Sequence, residues 1–287
     1  MAIDYDTLIN WKIPDVEQRL TKRDSMLYAL GTGYGLDPLD RKQLRFVYEK
    51  DLLTVPTMSV ILCHPGPWIR QPGTGVTGVR LVHGEQSIRL YRPLPAEGAI
   101  IGKSRVVSIH DKGKDRGALV TSERKVYDAE SGELLCELLI TMFLRDHGGF
   151  GGPNTPSKPP HQIPERKPDL RIDLPTPSNT ALLYRLSGDY NPLHADPDVA
   201  KAAGFDRPVL HGLCTMAVAG HAILKGCCDY NPILLKSMDV RFSAPAFPGD
   251  TISTEIWNDG STVSFRCIVD SRKATVINNG RAEIISP

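Results

Sequence analysis

The sequence predicts an α+β chain built twice over, with two curved antiparallel sheets that each wrap one long central helix. Three observations carry that reading. The chain repeats itself at a fixed offset, one segment is apolar on nearly every side, and the remaining runs are β-branched and aromatic between turn residues.

The repeat is read first. Leu27–Asp40 (LYALGTGYGLDPLD) matches Leu183–Asp196 (LYRLSGDYNPLHAD), and Tyr28/Tyr184, Leu30/Leu186 and Tyr34/Tyr190 all stand 156 positions apart (184 − 28). Val55–Leu62 faces Arg207–Cys214 and Leu90–Ile100 faces Phe242–Ile252, both at an offset of 152 (208 − 56, 245 − 93). A four-residue indel therefore separates the two registers. Between the copies, Gly148–Pro168 (GGFGGPNTPSKPPHQIPERKP) is dense in Gly and Pro, has no helical or strand period, and reads as a crossing linker. It places the boundary near residue 155, giving units 1–155 and 156–287.

The second observation is Pro208–Lys225 (PVLHGLCTMAVAGHAILK), which is apolar all round and must be a buried helix. The third is the set of strand-like runs behind it, Val240–Phe242, Thr251–Trp257, Val263–Val269 and Ala274–Ile277, separated by Pro-Gly-Asp and Asn-Asp-Gly turns. The first half offers corresponding parts in Pro56–Leu62, Gln86–Tyr91, Ala99–His110, Ala118–Tyr127 and Leu134–Arg145, which predicts a second central helix and a second sheet.

Composition sets limits. At 287 residues, 41% hydrophobic and 23% charged, the chain can bury a conventional core. Its 34 basic against 33 acidic residues leave +1, so bulk charge offers no footprint for nucleic acid or an anionic membrane. No apolar run reaches membrane-span length and the opening MAIDYDTLINWK lacks a secretory apolar core, which predicts a cytoplasmic protein. The ending Ile-Ile-Ser-Pro is not a Ser-Lys-Leu address, although peroxisomal import by another route stays open. Six cysteines show no Cys-x-x-Cys spacing and read as buried thiols.

The copies differ where chemistry is concerned. Asp189, Asn191 and His194 stand opposite Gly33, Gly35 and Pro38, so the first copy keeps the apolar frame and lacks those polar groups. The segment Gly188-Asp-Tyr-Asn-Pro-Leu-His194 places three polar side chains within six positions beside a proline. Asp and Asn before Pro also make ordinary Asx turns, and both readings stand. A metal site drawn from Asp189, His194, Asp196 and His211 is disfavoured, because no His-x-x-x-His or third close ligand accompanies them.

GDYNPLHADP followed by GFDRPVLHGLCT closely resembles the hydratase-2, or MaoC-like (R)-specific enoyl-CoA hydratase, family of double hot-dog proteins. HGEQ (His83–Gln86), LYRPLP (Leu90–Pro95), DKG (Asp111–Gly113) and GGFGG (Gly148–Gly152) extend the resemblance over nearly the whole chain. It implies a double hot-dog fold, Asp189 and His194 as a catalytic pair, Asn191 orienting them, Gly212 as backbone donor to the thioester carbonyl, and Phe242 and Lys158 lining the acyl and CoA sites. It implies no cofactor beyond CoA as part of the substrate.

The residue types suit that chemistry. Hydration of a 2-enoyl thioester needs water at C3, a proton at C2 and a donor for enolate-like charge on the thioester oxygen. Asp189 and His194 can hold the water, and the Gly212 N–H at a helix start can meet the oxyanion. His211 reads as a buried histidine bonded to backbone and Glu85 as a structural carboxylate paired with Arg89 or Arg92; Lys158, Arg166, Lys167 and Arg171 would suit a phosphate but in a linker of this composition read first as solvated, and only Lys158 is carried forward. Gly31, Gly33 and Gly35 are expected along one wall of a widened acyl tunnel. Three alternatives stay open: an acyl-carrier-protein thioester as substrate, a thioesterase, and a non-catalytic acyl-binding subunit. An exposed sheet edge would allow a homodimer, while the duplicated chain can complete one site alone, so both states stay open.

Overall fold

Alternation of buried and half-exposed residues, unbroken through Ala118–Val126, shows why these runs form strands that cover a core on one face. The computed structural model describes residues 3–77, 81–153 and 159–285, so the expected boundary near residue 155 and Lys158 lie outside the described residues. In chain order the elements are α1 (Tyr5–Ile9), β1 (Val16–Leu20), α2 (Lys22–Gly31), α3 (Arg41–Val47), β2 (Leu81–Leu90), β3 (Gly98–Asp111), β4 (Ala118–Asp128) and β5 (Leu134–Leu144). The second set is β6 (Leu170–Pro175), α4 (Thr180–Tyr184), α5 (Pro197–Ala202), α6 (Gly212–Cys227), β7 (Leu235–Phe242), β8 (Thr251–Asp259), β9 (Thr262–Val269) and β10 (Ala274–Ile284).

The strands form one ten-stranded antiparallel sheet in the order β1-β3-β4-β5-β2-β7-β10-β9-β8-β6. Read outward from its centre, each half has the same connectivity. The halves join where β2 pairs β7, with Ser87 opposite Asp239. Those two residues stand 152 apart (239 − 87), so the repeat offset itself places the local twofold axis between them, and the Ser87 hydroxyl donates to the Asp239 carboxylate across it. The other offset is visible too: Asp40 caps α3 and Asp196 caps α5, each accepting two backbone N–H groups. Tyr28 and Tyr184 are both fully buried and pack ring against ring, centroids 5.7 Å apart.

The double hot-dog architecture expected from the sequence is present, with two differences of detail. The two sheets are continuous rather than separate, because β2 and β7 share a full hydrogen-bonded ladder. Among the described residues only one long central helix forms. α6 runs 16 residues with nearly every side chain buried, and Gly220 lets it approach so closely that a Cβ there would lie 2.6 Å from the Thr57 methyl. Its first-half counterpart is a 3-10 turn, Pro56–Ile61. The chain turns at Cys63 (φ 50°) and meets Pro65-Gly66-Pro67, which cannot continue a helix.

β10 also runs beyond the expected Ile277. Asn278-Asn279-Gly280 reads as a turn but is a bulge within the strand, where the register slips against β9. All six cysteines are buried free thiols, as expected, and burial pushes Cys63 up to about 11 and Cys136 to about 12.

Candidate active site

The segment carrying Asp189 and His194 is a tight polar loop between α4 and α5. Its geometry begins with the Asx turn: the Asn191 N–H donates to Asp189 Oδ1 at 3.2 Å, and Asn191 Oδ1 accepts from the Leu193 N–H at 3.1 Å. The second bond caps the short 3-10 turn Pro192–His194. Asn191 therefore touches both ends of the loop through backbone bonds, and its side chain holds the turn on which His194 sits.

His194 Nδ1 lies 2.8 Å from the Val209 carbonyl. A carbonyl only accepts, so Nδ1 carries the proton and Nε2 presents its lone pair. Burial pushes the His194 pKa down, against the raising pull of that carbonyl and of Asp189. A neutral imidazole with a free Nε2 is the form a general base needs.

His211 joins them. Its ring stacks on His194 with centroids 3.7 Å apart and 25° between planes, and its Nε2 donates to the Asp189 backbone carbonyl at 3.2 Å. It is 1% exposed, and burial together with the neighbouring His194 lowers its pKa to about 4. The expectation of a buried histidine bonded to backbone is met, but the carbonyl it meets is that of Asp189, which the sequence could not show. One ligand-type atom from each of Asp189, His194 and His211 lies within 4.8 Å of the others. Each ring donates one N–H to a carbonyl, which fixes its tautomer, and the stacked rings send their remaining lone pairs side by side rather than to one point. The trio suits water and protons better than a tetrahedral ion.

Immediately after His211, Gly212 opens α6. The first N–H of a helix has no acceptor inside it, and 16 aligned peptides stand behind this one. The Phe242 ring covers Gly212 so closely that a Cβ would lie 3.3 Å from it. Phe242 in turn meets His83 edge to face at 5.2 Å. The structure thus brings Asp189, Asn191, His194, Gly212 and Phe242 together.

One first-half residue, His83, joins the site without having been expected there. His83 is pushed down to about 4 by burial, and Asp189 is among the charges it feels; Asp189 also acts on the exposed His64. HGEQ carried His83 in plain sight, yet only the β2–β7 ladder places it beside Phe242.

Other expectations are corrected. Gly31, Gly33 and Gly35 do not line a lumen: a Cβ on Gly31 would meet the Tyr184 backbone at 3.2 Å, one on Gly35 would meet Val47 at 3.1 Å, and one on Gly33 would lie 3.9 Å from His221. That region is filled by Tyr34 stacked on His221 at 3.8 Å, with Phe46 and Tyr230 against them. Glu85 faces Arg241 at 3.9 Å, while Arg89 and Arg92 pair with Glu283 and Glu133. Arg166 is held by Asp169 and Asp259, and Arg171 by Asp173 and Asp270, so these two cations are already neutralised. A shallow apolar groove of about 100 Å³ between Pro56, Leu90, Leu94 and Leu235 occupies the twofold-related position, with Leu90 and Leu235 standing where Phe242 and His83 stand in the other half.

The fold and the site together define a double hot-dog protein with one acid–base cleft and one vestigial counterpart. Residues 160–279 match the family model described as MaoC like domain, and residues 19–146 match that described as MFE-2 hydratase 2 N-terminal domain. The chain is 41% identical to the peroxisomal enoyl-CoA hydratase 2 of Arabidopsis thaliana, covering 95% of this chain and 93% of that one. It is 41% identical to the 3-hydroxyacyl-thioester dehydratase Y of Mycobacterium tuberculosis over 93% of both. The crystal structure of a MaoC-like dehydratase from Phytophthora capsici superposes with a TM-score of 0.87 at 33% identity, covering 99% and 98% of the two chains. The chain belongs to the MaoC-like, hydratase 2 family.

Proposed function

We propose that the protein is a hydro-lyase that adds water reversibly across a trans-2-enoyl-CoA to give the (R)-3-hydroxyacyl-CoA. The observation that carries this is the closeness of Asp189 to neutral His194, beside Gly212, whose N–H is the first of a buried helix and has no acceptor within it. The relatives named as enoyl-CoA hydratase and hydroxyacyl-thioester dehydratase support the same reaction in its two directions.

In this reading Asp189 and His194 hold one water. Its oxygen bonds to C3 as the site takes one of its protons, and the π pair moves toward the thioester carbonyl. The Gly212 N–H, with the helix dipole behind it, meets the negative oxygen. The proton returns to C2 from the same side, so addition is syn and no co-reactant is consumed. His83 and Phe242 close the first-half side of the cleft, unit 1–155 holding the acyl chain and unit 156–287 doing the chemistry. A cytoplasmic location and a homodimer accompany the proposal; fractionation and sedimentation decide them.

The carrier is the finer question. Matched enoyl thioesters on CoA and on acyl carrier protein, followed by chiral analysis of the product, settle it: the proposal expects faster turnover on CoA and the R product. Preference for the carrier protein would move the enzyme to the dehydratase reading, and S product would overturn the assigned face.

A further inference from the structure

The inner face of β4 presents Ala118, Val120, Ser122, Arg124 and Val126 in alternation. Ala118, Val120 and Val126 are ordinary occupants of a core and Ser122 is small and neutral; Arg124 is neither. It is 2% exposed, its Nη2 donates to the Val60 carbonyl at 2.6 Å, and its Nε and Nη1 have no acceptor among the described residues. The Cys63 and Cys136 thiols act on it, and burial keeps them protonated. A buried guanidinium without a carboxylate is strongly unfavourable, and buried charges are ordinarily paired.

The repeat sharpens the anomaly. Arg124 stands opposite Ser104 in the β3–β4 ladder; the residue 152 beyond Ser104 is Ile256, and its β9 partner is Phe265. The second half thus buries an aromatic ring at the ladder position where the first half buries a cation. Arg124 and Ser122 also interrupt the apolar floor, with Val126 and Leu138 in one hydrophobic cluster and Val120 and Val106 in another. On the cleft side, Arg124 faces Leu138 and then Ile88 across the β4–β5–β2 ladders, while His83 faces Met142 and then Val120, so His83 and Arg124 lie on the same three strands, four residues apart along β4.

We propose that Arg124 receives the anionic far end of the acyl chain, so that the favoured substrates are 2-enoyl thioesters carrying a terminal carboxylate. This rests on the hydratase reading above. With C2 and C3 at Asp189 and His194, the chain runs past His83 into the first half. Its carboxylate accepts from Nε and Nη1, the fork that matches two oxygens, while the bond to Val60 fixes the guanidinium plane. A methyl-terminated chain leaves both donors unpaired.

The test compares kcat/KM for matched trans-2-enoyl-CoAs, methyl-terminated and ω-carboxy, across a range of lengths in wild type, Arg124→Met and Arg124→Lys. At the fitting length the wild type favours the carboxylate by about ten- to a hundredfold, Met abolishes the preference and Lys restores part of it. No carboxylate preference at any length, or one undiminished in Arg124→Met, overturns the proposal. Calorimetric affinity of the wild type and Arg124→Lys for saturated ω-carboxyacyl-CoA against its methyl-terminated match reads the same preference without turnover and without the Met variant. Absence of hydration therefore sinks the hydratase reading alone, and equal affinities sink this one.

Discussion

At the scale of single residues, the account rests on which atom carries a proton. His194 Nδ1 is committed to the Val209 carbonyl and its pKa is lowered chiefly by burial, so the base form persists below the ordinary histidine value. We expect kcat/KM to be level across neutrality and to fall only below about pH 6.5 as His194 takes up its proton; an acid limb centred above pH 7 in a pH–rate profile would contradict the tautomer argument. Gly212 allows a cleaner probe. Pro is well tolerated at the first helical position, and His211 before it has φ −57° and ψ 133°, the conformation that a following proline demands. Gly212→Pro removes the N–H and is expected to lower kcat about 10²–10³-fold. Gly212→Ala retains the donor and reports the crowding against Phe242 separately. Asp189, Asn191 and His194 were legible because one short loop carries all three; His83 and the partners of His211 were not, because they meet through ladders and stacking between distant segments.

At the scale of elements, the motif glycines show what a sequence pattern conceals. DKG and GGFGG are two ends of one device: the Asp111 carboxylate accepts the N–H groups of Gly113 at 2.9 Å, Gly149 at 2.7 Å and Gly151 at 2.9 Å. Burial pushes that carboxyl up, and the backbone donors outweigh it and hold the pKa below the usual range. Asp111→Ala is expected to cost about 1–3 kcal/mol in denaturant unfolding while the hydration site stays intact; an unchanged midpoint would show that water replaces the carboxylate freely. GGFGG was read as the start of a linker, since Gly-rich strings carry no period. The central helices illustrate the reverse case. α6 was legible from its apolar surround, whereas Pro56–Leu62 was read as its equal because the matching apolar residues conceal the Pro65-Gly66-Pro67 stop.

At the scale of the molecule, the offset of 152 proved the most informative number in the sequence, because once β2 pairs β7 it identifies Ser87 and Asp239 as the equivalent residues facing each other on the twofold axis. What it could not show is what fills the space beside Gly33, opposite Asp189 in the repeat. Tyr34 and His221 plug it, and His221, 1% exposed, is pushed down to about 4 by burial, as is His211 on the working side. Both are neutral when folded and take up protons near 6.5 when unfolded, so the unfolded state binds more protons between those values. Stability is therefore full above about pH 6.5 and falls as pH drops toward 4. Thermal melting against pH should show that loss, and His221→Phe should flatten it; a melting temperature independent of pH over this window would remove both histidines from the argument.

The measurement that tests the central claim most directly is the decay of enoyl-thioester absorbance when the purified protein meets a short and a long trans-2-enoyl-CoA, beside Asp189→Asn and His194→Gln. The account predicts rapid hydration by the wild type and a loss of about 10²–10⁴-fold in each variant with melting unchanged. Undiminished hydration in either variant, or no hydration of any enoyl-CoA by the wild type, would contradict it.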